Sequence, residues 1–303
     1  MTILVTGGAG FIGSHLAEHL RDAGKTVRIV DDLSGGKREN IPAGMEFQEG
    51  DFSEANLGGV DLVYHLAAQV SVPKSVKFPL EANETNLGKT MKLIRRAVQA
   101  KVRRFVFASS SSVYGDLPGF PKKESADLRP LSPYAVTKMV GELYCAQAAH
   151  HWGMETVVFR FFNVYGPRQD PGSPYAAVIP IFLSRWQKGE SLTVFGDGKQ
   201  TRDFTYVKDV AEGLSRAADH PGAVGKVINL AGGNPVSVLD VIDTMEKVIG
   251  EKLPRSFAPP RPGEILHSYA DPAMLREFLD FVPGTPLEEG LKATLEWFRS
   301  RER

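Results

Sequence analysis

Tyr134 and Lys138 lie four residues apart in the stretch SPYAVTK, and on a helix that spacing puts both side chains on one face. Ser132 is a capping residue type and Pro133 suits a first helical turn, so the stretch predicts a helix N-terminus carrying a phenol. A phenol with an ammonium one turn away is equipped to take a proton from an alcohol. An unperturbed phenol is a poor base at neutral pH, and bringing its pKa from about 10 to about 7 takes roughly 4 kcal/mol of preferential phenolate stabilisation. One cation about 4 Å away supplies roughly that much at an effective dielectric near 20. Lys138, with a cationic ligand beside it, therefore predicts Tyr134 as a general base with a depressed pKa. Ser110 ends the apolar run RFVFASS and is predicted to face the crevice beyond a parallel strand, where it can bond the same hydroxyl and share its proton. Serine runs also cap turns, and Tyr-x-x-x-Lys recurs by chance on helices. The elements around these residues decide between the readings.

The N-terminal stretch ILVTGGAGFIGSHLAEHL reads as strand, glycine turn and helix, with Gly7, Gly10 and Gly13 spaced as G-x-x-G-x-x-G. Glycines there permit a tight turn, close approach to a pyrophosphate and close strand–helix packing. The helix N-terminus adds unpaired N–H groups and a positive dipole end. Asp31 ends the next strand at the distance where an acid bonds ribose hydroxyls. An acid there repels a 2′-phosphate, so NAD is expected rather than NADP, with Lys37 and Arg38 close by in sequence. Asp51, after the third strand, is expected to accept from the adenine amine or to cap a turn. His15 and His19 have metal-like spacing, but no matching ligands stand elsewhere, so packing or surface roles are expected and no metal.

Short apolar runs alternate with helical patterns through the first half. ILVT, VRIVD, EFQEGD, DLVYHLA, RFVFASS and TVVFRF read as strands, while 11–23, 80–100 and 133–151 carry helical periodicity. Continuously apolar strands between helices predict an α/β, Rossmann-type doubly wound parallel sheet. Beyond Gly166 proline and glycine thicken, which predicts an NAD-binding domain over 1–166 and, over 167–303, mainly a smaller C-terminal substrate-binding lobe, with later segments returning to the first sheet. The 303 residues carry 36 Lys plus Arg against 36 Asp plus Glu, so net charge favours no nucleic-acid partner. Cys145 is the single cysteine, which rules out an intrachain disulfide, and its helical setting predicts a small buried side chain. No apolar run is long enough to cross a bilayer and no signal-type segment opens the chain; the expected location is cytoplasmic.

With these motifs in this order, the sequence resembles the extended short-chain dehydrogenase/reductase family, in particular its NAD-dependent nucleotide-sugar epimerases and dehydratases. TGGAGFIGSHL, HLAAQVSV, SSSSVYGD, SPYAVTK, RFFNVYGPRQDP, GDGKQTRDFTYVKDV and RPGEILHSYAD carry the resemblance along nearly the whole chain. It implies Tyr134 as base, Lys138 on the nicotinamide ribose and Ser110 as the proton-sharing hydroxyl. It implies cofactor contacts from Phe11, Ile12, Phe52, Leu66, Ala67, Ala68 and Asn86, although Lys89 stands where the family usually has glycine. It implies Asn163, Arg202 and Arg261 on a UDP diphosphate, where arginine forks match phosphate oxygens. Family dehydratases place Asp-Glu after the hydroxyl residue. Ser111 and Ser112 occupy those places, which disfavours dehydration or decarboxylation and leaves UDP-hexose 4-epimerisation. Ala177, Val178 and Ser268 are expected at the sugar. Asparagine and a bulky tyrosine usually replace Ala177 and Ser268 in enzymes restricted to UDP-glucose, so the smaller Ser268 leaves volume for a 2-acetamido group. A nonenzymatic NAD-binding regulator is the rival reading, disfavoured by an intact Ser110, Tyr134 and Lys138. The family also implies a homodimer through 87–100 and 133–151.

Overall fold

The structure, a computed structural model, describes residues 2–170, 177–260 and 265–300. Its strands run β1 (Thr2–Thr6), β2 (Thr26–Asp31), β3 (Glu46–Glu49), β4 (Val60–His65), β5 (Arg104–Ser110), β6 (Glu155–Phe161), β7 (Asn163–Tyr165), β8 (Leu192–Phe195), β9 (Thr201–Tyr206), β10 (Val227–Leu230), β11 (Pro235–Ser237), β12 (Arg255–Ala258) and β13 (His267–Ser268). Helices are α1 (Phe11–Asp22), α2 (Val72–Lys77), α3 (Pro79–Asn83), α4 (Lys89–Gln99), α5 (Pro133–Trp152), α6 (Val178–Gln187), α7 (Val207–Arg216), α8 (Val238–Ile249), α9 (Ala273–Leu279) and α10 (Leu287–Ser300).

Seven parallel strands form the large sheet in the order β10-β6-β5-β4-β1-β2-β3. The strand order reverses between β1 and β4, so a crevice opens beyond their carboxyl ends. Residues buried on both sheet faces explain the continuous apolar runs. Leu16, Leu20, Val210, Leu214 and Leu275 cover one face, while Leu93, Ile94, Ala97, Cys145 and Ala148 cover the other. α7 and β10 belong to these layers although they lie beyond Gly166. A second body groups α6, α8 and α10 around Ile179, Phe182, Val241, Ile242, Leu291 and Leu295. Its small sheet pairs β11, β13 and β7 with β9.

The helical pattern over 80–100 is not one regular helix. Between α3 and α4, Glu84–Gly88 widens into a π turn, a feature that often marks functional sites. Asn86 lies in that turn, and its side-chain bonds, described below, reach outside the helix.

α5 carries the phenol and ammonium. Ser132 Oγ accepts from Ala135 N at 3.2 Å, Pro133 opens the first turn, and Gly153 ends the helix in left-handed backbone at φ 65°. Gly141 lets the helix approach β5, because a Cβ there would lie 2.4 Å from Phe107 Cζ. Gly141→Ala thus sets helix propensity, worth about 1 kcal/mol in favour of alanine, against overpacking of roughly 1–3 kcal/mol. The contact should win. Urea unfolding is expected to show net destabilisation, and a variant as stable as the parent would contradict the close approach.

Candidate active site

The glycine turn closes tightly on the first helix. Gly7 has φ 70°, and its carbonyl oxygen lies 2.1 Å from where a Cβ on Gly13 would stand. A Cβ on Gly7 would come within 2.9 Å of the Ala67 backbone, so the turn also abuts the loop after β4. Phe11 and Ile12 begin α1 just after Gly10, at the end where helical N–H groups lack partners. Asp31 ends β2 and is buried; its Oδ2 accepts from Ala9 N at 3.0 Å and its Oδ1 from Leu33 N at 2.9 Å. Burial pushes its pKa up while backbone N–H groups from Leu33, Ala9 and Gly10 oppose the rise. A glycine cradle, a helix N-terminus and an acceptor at the neighbouring strand end fit a dinucleotide.

Asp51 stands in a more occupied setting than its sequence suggests. Oδ1 accepts from Ser53 N at 2.9 Å, capping the short turn that contains Phe52, and Oδ2 pairs with Lys89 Nζ at 2.8 Å. Burial raises its pKa, but the Lys89 and Ser53 bonds outweigh that and leave it below the usual carboxylate range. The cap is thus present, and the lysine that replaces the usual glycine supplies its counter-ion.

The loop holding Leu66, Ala67 and Ala68 is fixed from behind by residues the sequence did not single out. Thr6 Oγ1 accepts from Leu66 N and Ala67 N, each at 3.2 Å, and lies 2.8 Å from His65 Nδ1. Two donors into one hydroxyl direct its own hydrogen to Nδ1, so His65 carries its proton on Nε2 and donates to Thr90 Oγ1 at 2.8 Å. Burial, aided by Lys138, lowers the His65 pKa to about 3. Asn86 completes the support: Oδ1 accepts from Gln69 N at 2.7 Å, and Nδ2 donates to Gln69 O at 3.0 Å and Thr137 Oγ1 at 3.2 Å. A polar residue closing an otherwise apolar strand was the sequence signal for His65.

Ser110, Tyr134 and Lys138 are brought together. The Ser110 side chain stands beside the Tyr134 phenol, and its Oγ accepts from Ser112 N at 3.2 Å. Lys138 Nζ lies 5.9 Å from the Tyr134 ring centroid, but donates to Ala108 O at 2.7 Å. Without the cationic ligand that the expected depression of the Tyr134 pKa calls for, the shift runs the other way. Burial pushes the phenol up, with the neighbouring Ser110 hydroxyl acting against it, and burial lowers Lys138 to about 8. One of the three Lys138 N–H groups is taken by the strand carbonyl, and a fall in the Tyr134 pKa calls for a further cation beside the phenol.

The second body presents the substrate candidates. Asn163 opens β7, and Ser268 on β13 is the register partner of Arg202 on β9. Arg202 Nη1 donates to Thr201 O at 2.9 Å. Ala177 precedes α6 and Val178 begins it; Arg261 lies outside the described residues. Asp203, buried and absent from the sequence candidates, accepts from Gly233 N at 2.9 Å and Ala270 N at 3.2 Å. It ties β9 to the turn after β10 and to the segment after Ser268. Phe120 stacks on Tyr269 at 5.4 Å, and Lys122 N donates to Tyr269 O at 2.9 Å, holding the same segment from the large-sheet side. His15 is buried and its Nε2 lies 2.9 Å from Pro167 O, while His19 pairs with Glu212.

Strand order, glycine cradle, acidic strand end and a Ser–Tyr–Lys group at one crevice fit a dinucleotide-binding, oxidoreductase-type fold. The chain belongs to the NAD dependent epimerase/dehydratase family, whose model matches residues 3–231. A putative UDP-glucose 4-epimerase of Methanocaldococcus jannaschii is 36% identical over 308 residues, covering 99% of each chain. The solved UDP-N-acetylglucosamine 4-epimerase of Methanobrevibacter ruminantium M1, in complex with UDP-N-acetylmuramic acid, superposes with a TM-score of 0.95 at 39% identity, covering 99% of this chain and 98% of that one. The UDP-glucose 4-epimerase of Thermotoga maritima, with UDP-glucose, gives 0.95 at 36% identity and full coverage of both, 100% each.

His65 gives a stability test. Its folded pKa of about 3 lies below the unfolded value near 6.5, so the unfolded chain binds the proton first as pH falls. The stabilisation is complete above pH 6.5 and is lost on descent towards pH 3, by up to about 1.4 kcal/mol per pH unit. Unfolding free energy measured from pH 7 to pH 4 should fall less steeply in His65→Gln than in the parent. Parallel slopes would contradict a neutral, buried His65.

Proposed function

We propose that this NAD-dependent UDP-sugar 4-epimerase interconverts gluco and galacto sugars of both kinds, UDP-GlcNAc/UDP-GalNAc as well as UDP-Glc/UDP-Gal. The observation that carries the wider substrate range is Ser268, a small side chain in register with Arg202, where a tyrosine would fill the space beside the sugar. Relatives of both sugar preferences match along essentially the whole chain, which supports the same reading.

In this reading Tyr134 takes the proton of the sugar 4-hydroxyl, and Ser110, beside Tyr134, shares it. NAD supplies the hydride acceptor at C4 and returns the hydride. Lys138 holds the nicotinamide ribose, and Asp31 the adenosine ribose. Asn163, Arg202 and Arg261 grip the diphosphate, so the 4-keto sugar turns about its phosphate linkage and offers its other face to the same groups. The adenine contact of Asp51, and those of Phe11, Ile12, Phe52 and Asn86, belong to this proposal. The dehydratase and decarboxylase alternative requires an acid beside Ser110. Ser111 and Ser112 carry none, and they form the short turn that Ser110 caps.

The enzyme is proposed to work as a homodimer through α4 and α5. Val136 and Leu143 share one exposed face of α5, with exposed Val76 and Leu80 on the adjoining short helices. Sedimentation at the monomer mass would refute this.

Proton NMR of the anomeric signals tests the function. With UDP-GlcNAc and UDP-glucose supplied separately, galacto epimers are expected from both, and unchanged sugars in the presence of bound NAD would overturn the reading. Tyr134→Phe should abolish turnover while NAD stays bound; full activity would remove the phenol from the chemistry. Ser268→Tyr should cut turnover of UDP-GlcNAc roughly tenfold more than that of UDP-glucose. Equal losses would refute the steric argument.

A further inference from the structure

Beneath Tyr134 and Lys138 lies a buried polar cluster that the proposed chemistry leaves without a role. Glu142 continues the same face of α5, one turn beyond Lys138. Its Oε1 accepts from the Ser109 hydroxyl on β5 and from Arg160 Nε on β6 at 2.9 Å, and its Oε2 accepts from Arg160 Nη2 at 2.7 Å. Arg160 Nη1 also donates to Tyr114 OH at 2.9 Å and to Glu124 O at 3.2 Å. Glu142, Ser109 and Arg160 are all buried. Ser109 immediately precedes Ser110, and alternation along the strand sends it to the opposite sheet face, under α5. The helix face thus meets the strand end twice: Lys138 at the Ala108 carbonyl and Glu142 at the Ser109 hydroxyl. A buried ion pair is weak as a source of stability, since apolar residues of similar volume do as well. What it supplies in this setting is direction and charge.

We propose that Glu142 is a positioning residue for the epimerisation: it locks the strand end that bears Ser110 to the helix face that bears Tyr134 and Lys138, and places a carboxylate one helical turn from the Lys138 ammonium. The inference rests on the roles proposed above for those three residues.

The charges around Lys138 fix the sign of the effect. From α5, Tyr134, Glu142 and Cys145 face it; from β4, His65, which is neutral above about pH 3; from β6, Arg160, beyond Glu142 and in contact with Tyr114. Burial lowers Lys138, and the Glu142 carboxylate acts in the other direction. Burial also keeps Cys145 a thiol. On its far side Glu142 borders a cavity that His150 and Lys226 also line. Among these groups Glu142 is the charged acid, so its loss makes Lys138 give up its proton at lower pH.

The test is the pH profile of kcat for Glu142→Gln in NAD-loaded enzyme. Expected are a kcat roughly tenfold lower, a sugar KM within about twofold of the parent, and an alkaline limb moved down by about one pH unit. The double variant Glu142→Gln/Arg160→Met removes both charges. Its limb should return towards the parent position while kcat stays low, because Ser109 remains untied. A purely structural role lowers the yield of folded enzyme without moving the limb. Superimposable pH profiles for parent and Glu142→Gln would overturn the inference, as would full kcat in the double variant if the single variant does not fold. A parent enzyme that epimerises no UDP-sugar would instead bring down the functional reading and this inference with it.

Discussion

The contact between one face of α5 and the end of β5 is the constraint on which the site depends. Tyr134, Lys138 and Glu142 rise along that face at intervals of four, and Ala108, Ser109 and Ser110 follow one another along the strand. Lys138 Nζ reaches the Ala108 carbonyl, Glu142 takes the Ser109 hydroxyl, and Tyr134 meets Ser110. Gly141 supplies the clearance, because any side chain there would strike Phe107. A helix and a strand separated in sequence are thereby held in one register, and three polar groups on two elements are brought to one place.

The crevice is arranged against charge until a ligand arrives. Burial raises the Tyr134 pKa, lowers Lys138 to about 8 and lowers His65 to about 3. Each shift favours the neutral form of its group, as expected for polar side chains drawn out of water. In the proposed reaction the oxidised cofactor adds a second cation to Lys138 beside Tyr134. A base that depends on its cofactor suits an enzyme whose substrate is oxidised and reduced again in one binding event, since the phenolate is costly whenever there is no hydride acceptor.

Local features were legible in the sequence. The glycine spacing, the acid at the end of β2 and the phenol–ammonium pair each rest on short-range geometry, and the parallel sheet follows from apolar runs buried on both faces. Long-range pairing was not. His65 bonds Thr6 across 59 positions and Thr90 across 25, and nothing in DLVYHLA names those partners. Asp203 reaches Gly233 across 30 positions and Ala270 across 67. The pattern over 80–100 concealed a break, because Asn86 answers to Gln69 and Thr137 rather than to helix periodicity. Asp51 was foreseen as an adenine acceptor or a cap, but its ion pair with Lys89 depends on how the π turn carries α4 towards the crevice. Spacing likewise places Lys138 on the right face of α5 but does not show its bond to the Ala108 carbonyl.

The role proposed for Tyr134 requires its phenol to ionise at lower pH when NAD is bound. The most direct measurement is an ultraviolet titration of phenolate, taken as the difference between the parent and Tyr134→Phe, for cofactor-free and NAD-loaded protein. The account predicts that the Tyr134 signal is absent below a pH of about 10 without cofactor, and appears well below that value, towards pH 7, when NAD is present. The same titration in both forms would contradict it.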